Sequence, residues 1–346
     1  MSDGTGSLDN YFRQMRDEAK LDFAATGDHD HLGETPEPYW KLTCGKVKKW
    51  HAPGKFVTFL GYEWAKWRRK GEGDRNVYYP LDDRPIYRSD DSNYPWPPDL
   101  FQALSDEKSM IIPHHTAHDA SFCDWKDHDI KAERLVEIYQ VRGNNECPAE
   151  DGNTLPAKSV VDKGYVRQAL ARGWRVGFTG GGDDHFGHAG TDFKAPGFYK
   201  AGLMAVPARE LTRDAVWDAM WNRRVVATSG PRILLNYTLD KYPIGSEIHV
   251  DAVPELRAQR SLRIEFHGTM PLARLDIIRN GTVVHTFAPE SCLDCKLSWE
   301  DNTPIDQIWM APAMYCPIPF CYYYVRATQV DNEMAWASPV WIDTSS

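Results

Sequence analysis

The chain has 346 residues, of which 42% are hydrophobic and 26% charged, and it carries a formal net charge of −9. That balance argues against disorder and against a protein that grips nucleic-acid backbones, whose footprint would be a basic face. It provides enough chain for a main domain with a smaller companion, and it contains no run of about 18 apolar residues that would span a bilayer.

Met1 is followed at once by Ser2-Asp3-Gly4, with no opening strand before a helical stretch from Leu8 to Lys20. The chain is therefore read as starting inside a domain whose first strand is missing. A leader would be lost with that start, so location stays open, with the cytoplasm as default. LDFAATGDHD predicts a strand and loop, and KFVTFLGYEW a second strand whose Phe56, Val57, Phe59 and Leu60 suit burial on both faces. NVYYPL follows as a third strand. After the proline-rich loop around YPWPPD come a helix in DLFQALSDE and the buried runs SMIIPHH, RLVEIYQ and RVGFTGGGDDH. Between the last two, YVRQALARG predicts a helix stopped by Gly173. This alternation of apolar runs with helical patterns predicts an α/β domain over 1–232. Its last helix lies in ELTRDAVWDAMWNRR. Beyond Arg232, RILLNYTLD, SLRIEFHG, RLDIIRNGTVVHTF and CYYYVRATQV are strand-like, and Asn280-Gly281 is a hairpin turn signal. Residues 233–346 are thus expected to form an immunoglobulin-sized β-sandwich.

Most of the hydrophobic segments of the first domain end in groups that bind metals. Asp28-His29, Glu63, Asp74, His114-His115 and Asp183-x-His185 supply carboxylate and imidazole donors suited to Zn, Mn or Fe. Side chains at successive strand ends of an α/β fold can converge on one mouth. Three histidines within PHHTAH, His114, His115 and His118, are hard to explain by packing, and the glycines before Asp183 allow a close backbone approach.

Over SDG, LDFAATGDHD, GYEW, GDRNVYY, IPHH, VEIYQVRGNNEC, YVRQALARG and GFTGGGDDHFGHAG, continuing through RRVVATSGPRILL to AWASPVWI, the chain resembles the polymerase and histidinol phosphatase (PHP) superfamily. It looks closest to a branch described only as a domain of unknown function. The resemblance implies a distorted (β/α)7 barrel of the PHP type holding two or three divalent ions, and phosphoester hydrolysis as the commonest chemistry. His29 is similar to the histidine of the Thr-Asp-His signature, Glu63 to the bridging carboxylate, His114 to the histidine after the Ile-Pro strand, and Asp183 and His185 to the closing pair. Two departures stand out. Asp74 occupies a position where the resemblance implies histidine, and no histidine precedes His29 to match the opening His-x-His strand. His31 is one candidate to fill that vacancy.

The expected function is a metal-dependent phosphoesterase in which ions bridged by Glu63 acidify a shared water whose hydroxide attacks phosphorus. The expected substrate is small and anionic, with neither nucleic acid nor membrane as partner and the oligomeric state left open. Arg75 is expected to clamp the anion, with Lys66, Arg68 and Arg69 nearby, although a solvated loop is the favoured reading of Arg68 and Arg69. His115 or His118 would protonate the leaving group, and Glu146, with Glu137, would contact or orient the substrate. Two alternatives stay open: attack on an amide or lactone carbon, or a metal-depleted, non-catalytic binding protein. Among other features, Cys292, Cys295, Cys316 and Cys321 are read first as separate thiols and second as a zinc site or disulfides. Trp64 and Trp67 are read first as packing residues and second as a sugar-stacking platform.

Overall fold

The computed structural model describes residues 6–66 and 70–344. Helix α1, Leu8–Arg13, is capped by the Ser7 hydroxyl, which accepts from the Asn10 N–H, and a π turn over Gln14–Glu18 continues it. Short strands β1 (Phe23–Ala25) and β2 (Asp28–His29) lead to helix α2 (Glu37–Trp50). This helix is not among the predicted elements. Its buried stripe, Trp40, Thr43, Cys44 and Val47, has the i, i+3, i+4, i+7 spacing, but Thr and Cys mask the apolar signal.

Strand β3 (Val57–Trp64) is buried along its whole length, and β4 (Asp74–Tyr79), helix α3 (Pro97–Ala103) and β5 (Met110–His114) follow. β1 and β2 pair with β3 in parallel, whereas β3 with β4 and β4 with β5 are antiparallel. A second sheet contains β6 (Leu135–Gln140), β7 (Gly143–Asn144) and β8 (Gly177–Gly180), with helix α4 (Val166–Ala171) before β8 and β6 parallel to β8.

This architecture overturns the expected (β/α)7 barrel. A parallel barrel needs a crossover of a dozen or more residues, usually helical, between neighbouring strands. Between β3 and β4 the chain offers only residues 65–73, so β4 returns antiparallel, and α3 does not make β5 parallel to β4. The fold is instead mostly β, built from curled sheets with few helices.

Strand β9 (Leu203–Ala205), helix α5 (Arg213–Trp221) and β10 (Val226–Thr228) lead into β11 (Leu234–Leu239), β12 (Tyr242–Pro243), β13 (Glu247–His249), β14 (Arg260–Arg279), β15 (Thr282–Phe287), β16 (Cys292–Asp301), β17 (Phe320–Gln329) and β18 (Met334–Asp343). β9 to β18 form one curled, sandwich-like sheet of ten strands. The curl centres on β14, whose irregular stretch between His267 and Arg274 separates two predicted strands. Its first half pairs with β11 and β16, its second with β15 and β17. Asn280 and Gly281, at φ 53° and 79°, make the turn into β15. Cys292 and Cys295 are joined as a disulfide within β16, while Cys316 and Cys321 are separate buried thiols, so the four do not form one metal site.

The two halves share a core. Trp125, Trp174 and Phe178 pack in one cluster with Phe320, Tyr324, Trp336 and Trp341. Across the same seam, buried Glu146 accepts from Tyr324 Oη at 2.7 Å, Arg326 Nη1 at 3.0 Å and Trp336 Nε1 at 2.7 Å. Arg326 also donates to Asp276 at 2.9 Å. These bonds occupy the carboxylate that the sequence reading offers to a substrate. Glu146→Ala leaves the buried Tyr324 and Trp336 donors unpaired and removes one of the two carboxylates paired with Arg326, and is expected to cost about 2–4 kcal/mol in urea unfolding. An unchanged urea midpoint would show that the seam does not depend on this carboxylate.

Candidate metal centre

The site is assembled by strand register. Parallel pairing sets His29 opposite Glu63, and antiparallel pairing sets Asp74 opposite His114. Side chains alternate along a strand, so Asp74 turns inward with Asn76 and Tyr78, while Arg75 turns to the other face. There the Arg75 guanidinium is fully buried, 2.9 Å from Glu133 and bonded to the Gly73 carbonyl at 3.0 Å. It is spent on structure and does not meet the donors.

Glu63 is the centre of the cluster. Its Oε2 lies 3.6 Å from His114 Nε2 and 3.8 Å from His29 Nε2, while its Oε1 lies 3.6 Å from His115 Nε2. His115 Nε2 is also 3.6 Å from Asp74 Oδ2, and His114 Nε2 is 3.3 Å from Asp183 Oδ2. His185 Nε2 stands 3.1 Å from Asp183 Oδ1, and its ring is 5.4 Å from that of His29. Structure thus brings together His29, Glu63, Asp74, His114, His115, Asp183 and His185.

Several partners aim these groups. Glu34 holds His29 Nδ1 at 2.6 Å, Ser121 Oγ holds His115 Nδ1 at 2.8 Å, and Glu137 lies 2.8 Å from His114 Nδ1. Each leaves an Nε2 facing the cluster. Gln140 donates to Asp183 at 2.7 Å, and Arg142 forms a close ion pair with the same carboxylate. His115, Asp183 and His185 have positive φ values of 30°, 59° and 55°, unusual for residues with side chains and a sign that the local fold is constrained to aim them inward.

The remaining candidates lie around or outside this group. Asp28 is buried beside His29, on the opposite side of the strand by alternation. His118 sits with its ring 5.9 Å from that of His115. His31 places Nε2 2.8 Å from the Ala65 carbonyl, and Lys66 donates its ammonium to the Ser89 carbonyl at 2.6 Å. Trp64 is fully buried, so its ring presents no open face. Trp67, Arg68 and Arg69 lie outside the described residues.

The donor chemistry fits cations. Ligand atoms each about 2.1 Å from one ion at a tetrahedral angle are about 3.4 Å apart, close to the separations here. Glu63 Oε2 and His114 Nε2 are buried and make no hydrogen bond, an arrangement that is costly unless something positive lies between them. Four buried carboxylates, Glu63, Asp74, Glu137 and Asp183, gather around the guanidinium of Arg142. Burial by itself would strip the proton from His114, but Glu137 and Glu63 outweigh it and raise its pKa above the ordinary histidine value. Burial, reinforced by His114, pushes His115 well below that value and leaves it neutral, the form in which imidazole binds metal. A cavity of about 190 Å³ adjoins His114, Glu137 and Asp183, otherwise lined largely by apolar side chains such as Phe59, Ile112 and Met204.

Two members escape sequence reasoning in their roles. His115, expected as an acid, faces Glu63 and Asp74, because its backbone turns the ring back onto them. Arg142 stands where Arg75 was expected to act. The signal for Arg75 was available: an inward Asp74 on a strand forces its neighbour outward.

The chain belongs to the family described as protein of unknown function (DUF3604), whose model matches residues 5–154 and 184–238. An uncharacterised protein of Chlamydia pneumoniae is 29% identical over 345 residues, covering 99% of this chain and 55% of that protein. Another, from Chlamydia muridarum, is 31% identical over 348 aligned positions, with 99% and 55% covered. The chain therefore spans about half the length of the curated relatives it matches. Among solved structures, the fibronectin(III)-like modules of Clostridium thermocellum CbhA match 31% of this chain and 92% of that one at 14% identity, with a TM-score of 0.17, too low to bear on the fold.

Packing around the centre leaves little slack. A Cβ on Gly181 would come within 2.2 Å of Glu137 Oε2, whereas one on Gly182 meets Ala189 Cβ at 3.3 Å and Ala201 Cβ at 3.9 Å. Gly181→Ala is expected to displace the carboxylate that aims His114 and to cost about 1–3 kcal/mol in thermal or urea unfolding, with Gly182→Ala costing less. Equal stability of the two variants would contradict this placement of Glu137.

Proposed function

We propose that this DUF3604-family chain is a metal-dependent hydrolase acting on a small anionic ester, most simply a phosphoester. The observation that carries the reading is the buried Glu63 carboxylate, whose two oxygens face two different groups of donors. Oε2, with His114, His29 and Asp183, would hold one cation; Oε1, with His115 and Asp74, would hold a second. His185 would complete the first group through its place beside Asp183 and His29. These nitrogen and oxygen donors, without a thiolate, suit Zn, Mn or Fe. When bound, such ions supply charge neutralisation on an anionic substrate and an acidified water.

The protein's own groups divide the remaining work. Arg142, about a quarter exposed and paired with Asp183, can turn its outer N–H groups toward an anion entering from solvent. Its presence supports a phosphoester over a neutral amide or lactone. His118, at the rim and partly exposed, is placed to exchange a proton with the leaving group or solvent. Glu137 and Ser121 keep the His114 and His115 rings in place, which preserves the donor geometry between turnovers.

Elemental analysis of purified protein equilibrated with Mn or Zn is expected to find about two ions per chain, with Glu63→Ala losing most of both and His115→Ala retaining about one. Phosphomonoester hydrolysis by the loaded protein is expected to fall by about 100-fold or more in Glu63→Ala, in line with losing several kcal/mol of transition-state stabilisation. Equal rates in the two proteins, or equal metal content, would overturn the reading.

A further inference from the structure

We propose that the loop over residues 181–202 carries a ring-binding platform at the mouth of the metal centre, so that the substrate is an anionic ester of a flat aromatic ring. The proposal rests on the hydrolase reading above and names the organic half of its substrate. The loop delivers Asp183 and His185 to the cluster, and it also displays Phe186, Phe193 and Phe198, which are 43%, 37% and 36% exposed. No other phenylalanine among the described residues is so exposed. Leaving large apolar rings in water is unfavourable, and clustering them on one loop marks a contact surface.

This surface meets the metal centre through Phe198 and, along the chain, through Phe186. Phe198 lies 5.8 Å from the Arg142 guanidinium, which in turn pairs with Asp183. Phe186 directly follows His185, and Phe193 is 5.6 Å from Phe186 while stacking on His188 at 4.4 Å. An occupant resting on Phe198 therefore lies beside the guanidinium that pairs with Asp183, as the non-anionic part of a small substrate would. The loop is also fixed in advance. Asp184 accepts from the backbone N–H groups of Phe186, Gly187 and His188 at 3.0, 3.0 and 2.8 Å, and Lys158 donates to the Gly197 carbonyl at 2.8 Å. Rigid, exposed ring faces favour a planar partner that stacks or meets them edge to face, with little ordering cost on binding. Arg142, between Phe198 and Asp183, then contacts the anionic group at the other end of the same ligand.

Calorimetric titration of the Mn-loaded chain with phenylphosphonate and methylphosphonate, neither of which is hydrolysed, tests the assignment. Wild-type protein is expected to bind the phenyl compound about tenfold more tightly, as one or two ring contacts would give. In a Phe193→Ala, Phe198→Ala double variant, shown by thermal unfolding to be folded, the ratio should collapse toward one. A wild-type ratio near one, or a ratio undiminished in the variant, overturns the platform while leaving the metal centre standing. Failure of both phosphonates to bind the loaded wild-type chain overturns the anionic-ester reading and the platform together.

Discussion

The arrangement depends on a carboxylate that cannot be buried alone. Glu63 is the penultimate residue of a strand that is buried along its whole length, and each of its oxygens faces an imidazole nitrogen. In such surroundings an ionised group is tolerable only with opposite charge or strong donors close by. The neighbouring acids Asp74, Glu137 and Asp183 add negative charge, which Arg142 and the raised pKa of His114 offset among the described residues. A cation held between these groups, as proposed above, would relieve that strain. The parallel β2–β3 pairing and the antiparallel β3–β4–β5 run bring His29, Glu63, Asp74 and His114 to one end of one sheet.

The C-terminal sheet supports this arrangement from behind. β8, which feeds Gly181 to Asp183 into the site, is anchored where the Phe178 N–H donates to Ser338 Oγ at 2.9 Å, and the Ser338 hydroxyl donates to the Val225 carbonyl at 2.6 Å. Tyr139 of β6 stacks on Trp336 of β18 at 5.8 Å. β9 and β10 precede residue 232 yet join the large sheet through β18. Strands β6 and β8 therefore share a hydrophobic cluster with β17 and β18, and the Glu146–Arg326–Asp276 network adds a buried polar seam.

Much of this was legible in the sequence because short apolar runs ending in Asp, Glu or His mark strand ends by composition. GYEW, IPHH and GDDH each delivered a donor to the cluster, and Asn280-Gly281 marked its turn by the backbone conformation it requires. What stayed hidden was non-local. The resemblance implies a (β/α)7 barrel with a helix between strands, yet β4 pairs antiparallel with β3 with only residues 65–73 between them. Helix α2 hid its buried face behind Thr43 and Cys44. Glu146 looked like a site residue because its partners, Tyr324, Arg326 and Trp336, lie far along the chain. His115 looked like an acid because nothing in PHHTAH reveals the positive φ that turns its ring onto Glu63.

The most direct test is a crystal structure of the Mn-soaked chain with anomalous scattering recorded near the Mn edge. The account predicts two anomalous peaks sharing Glu63, one touching Oε2 and His114, the other touching Oε1, His115 and Asp74. Peaks that avoid Glu63, or a cluster closed by direct carboxylate–imidazole hydrogen bonds with no peak at all, would contradict it.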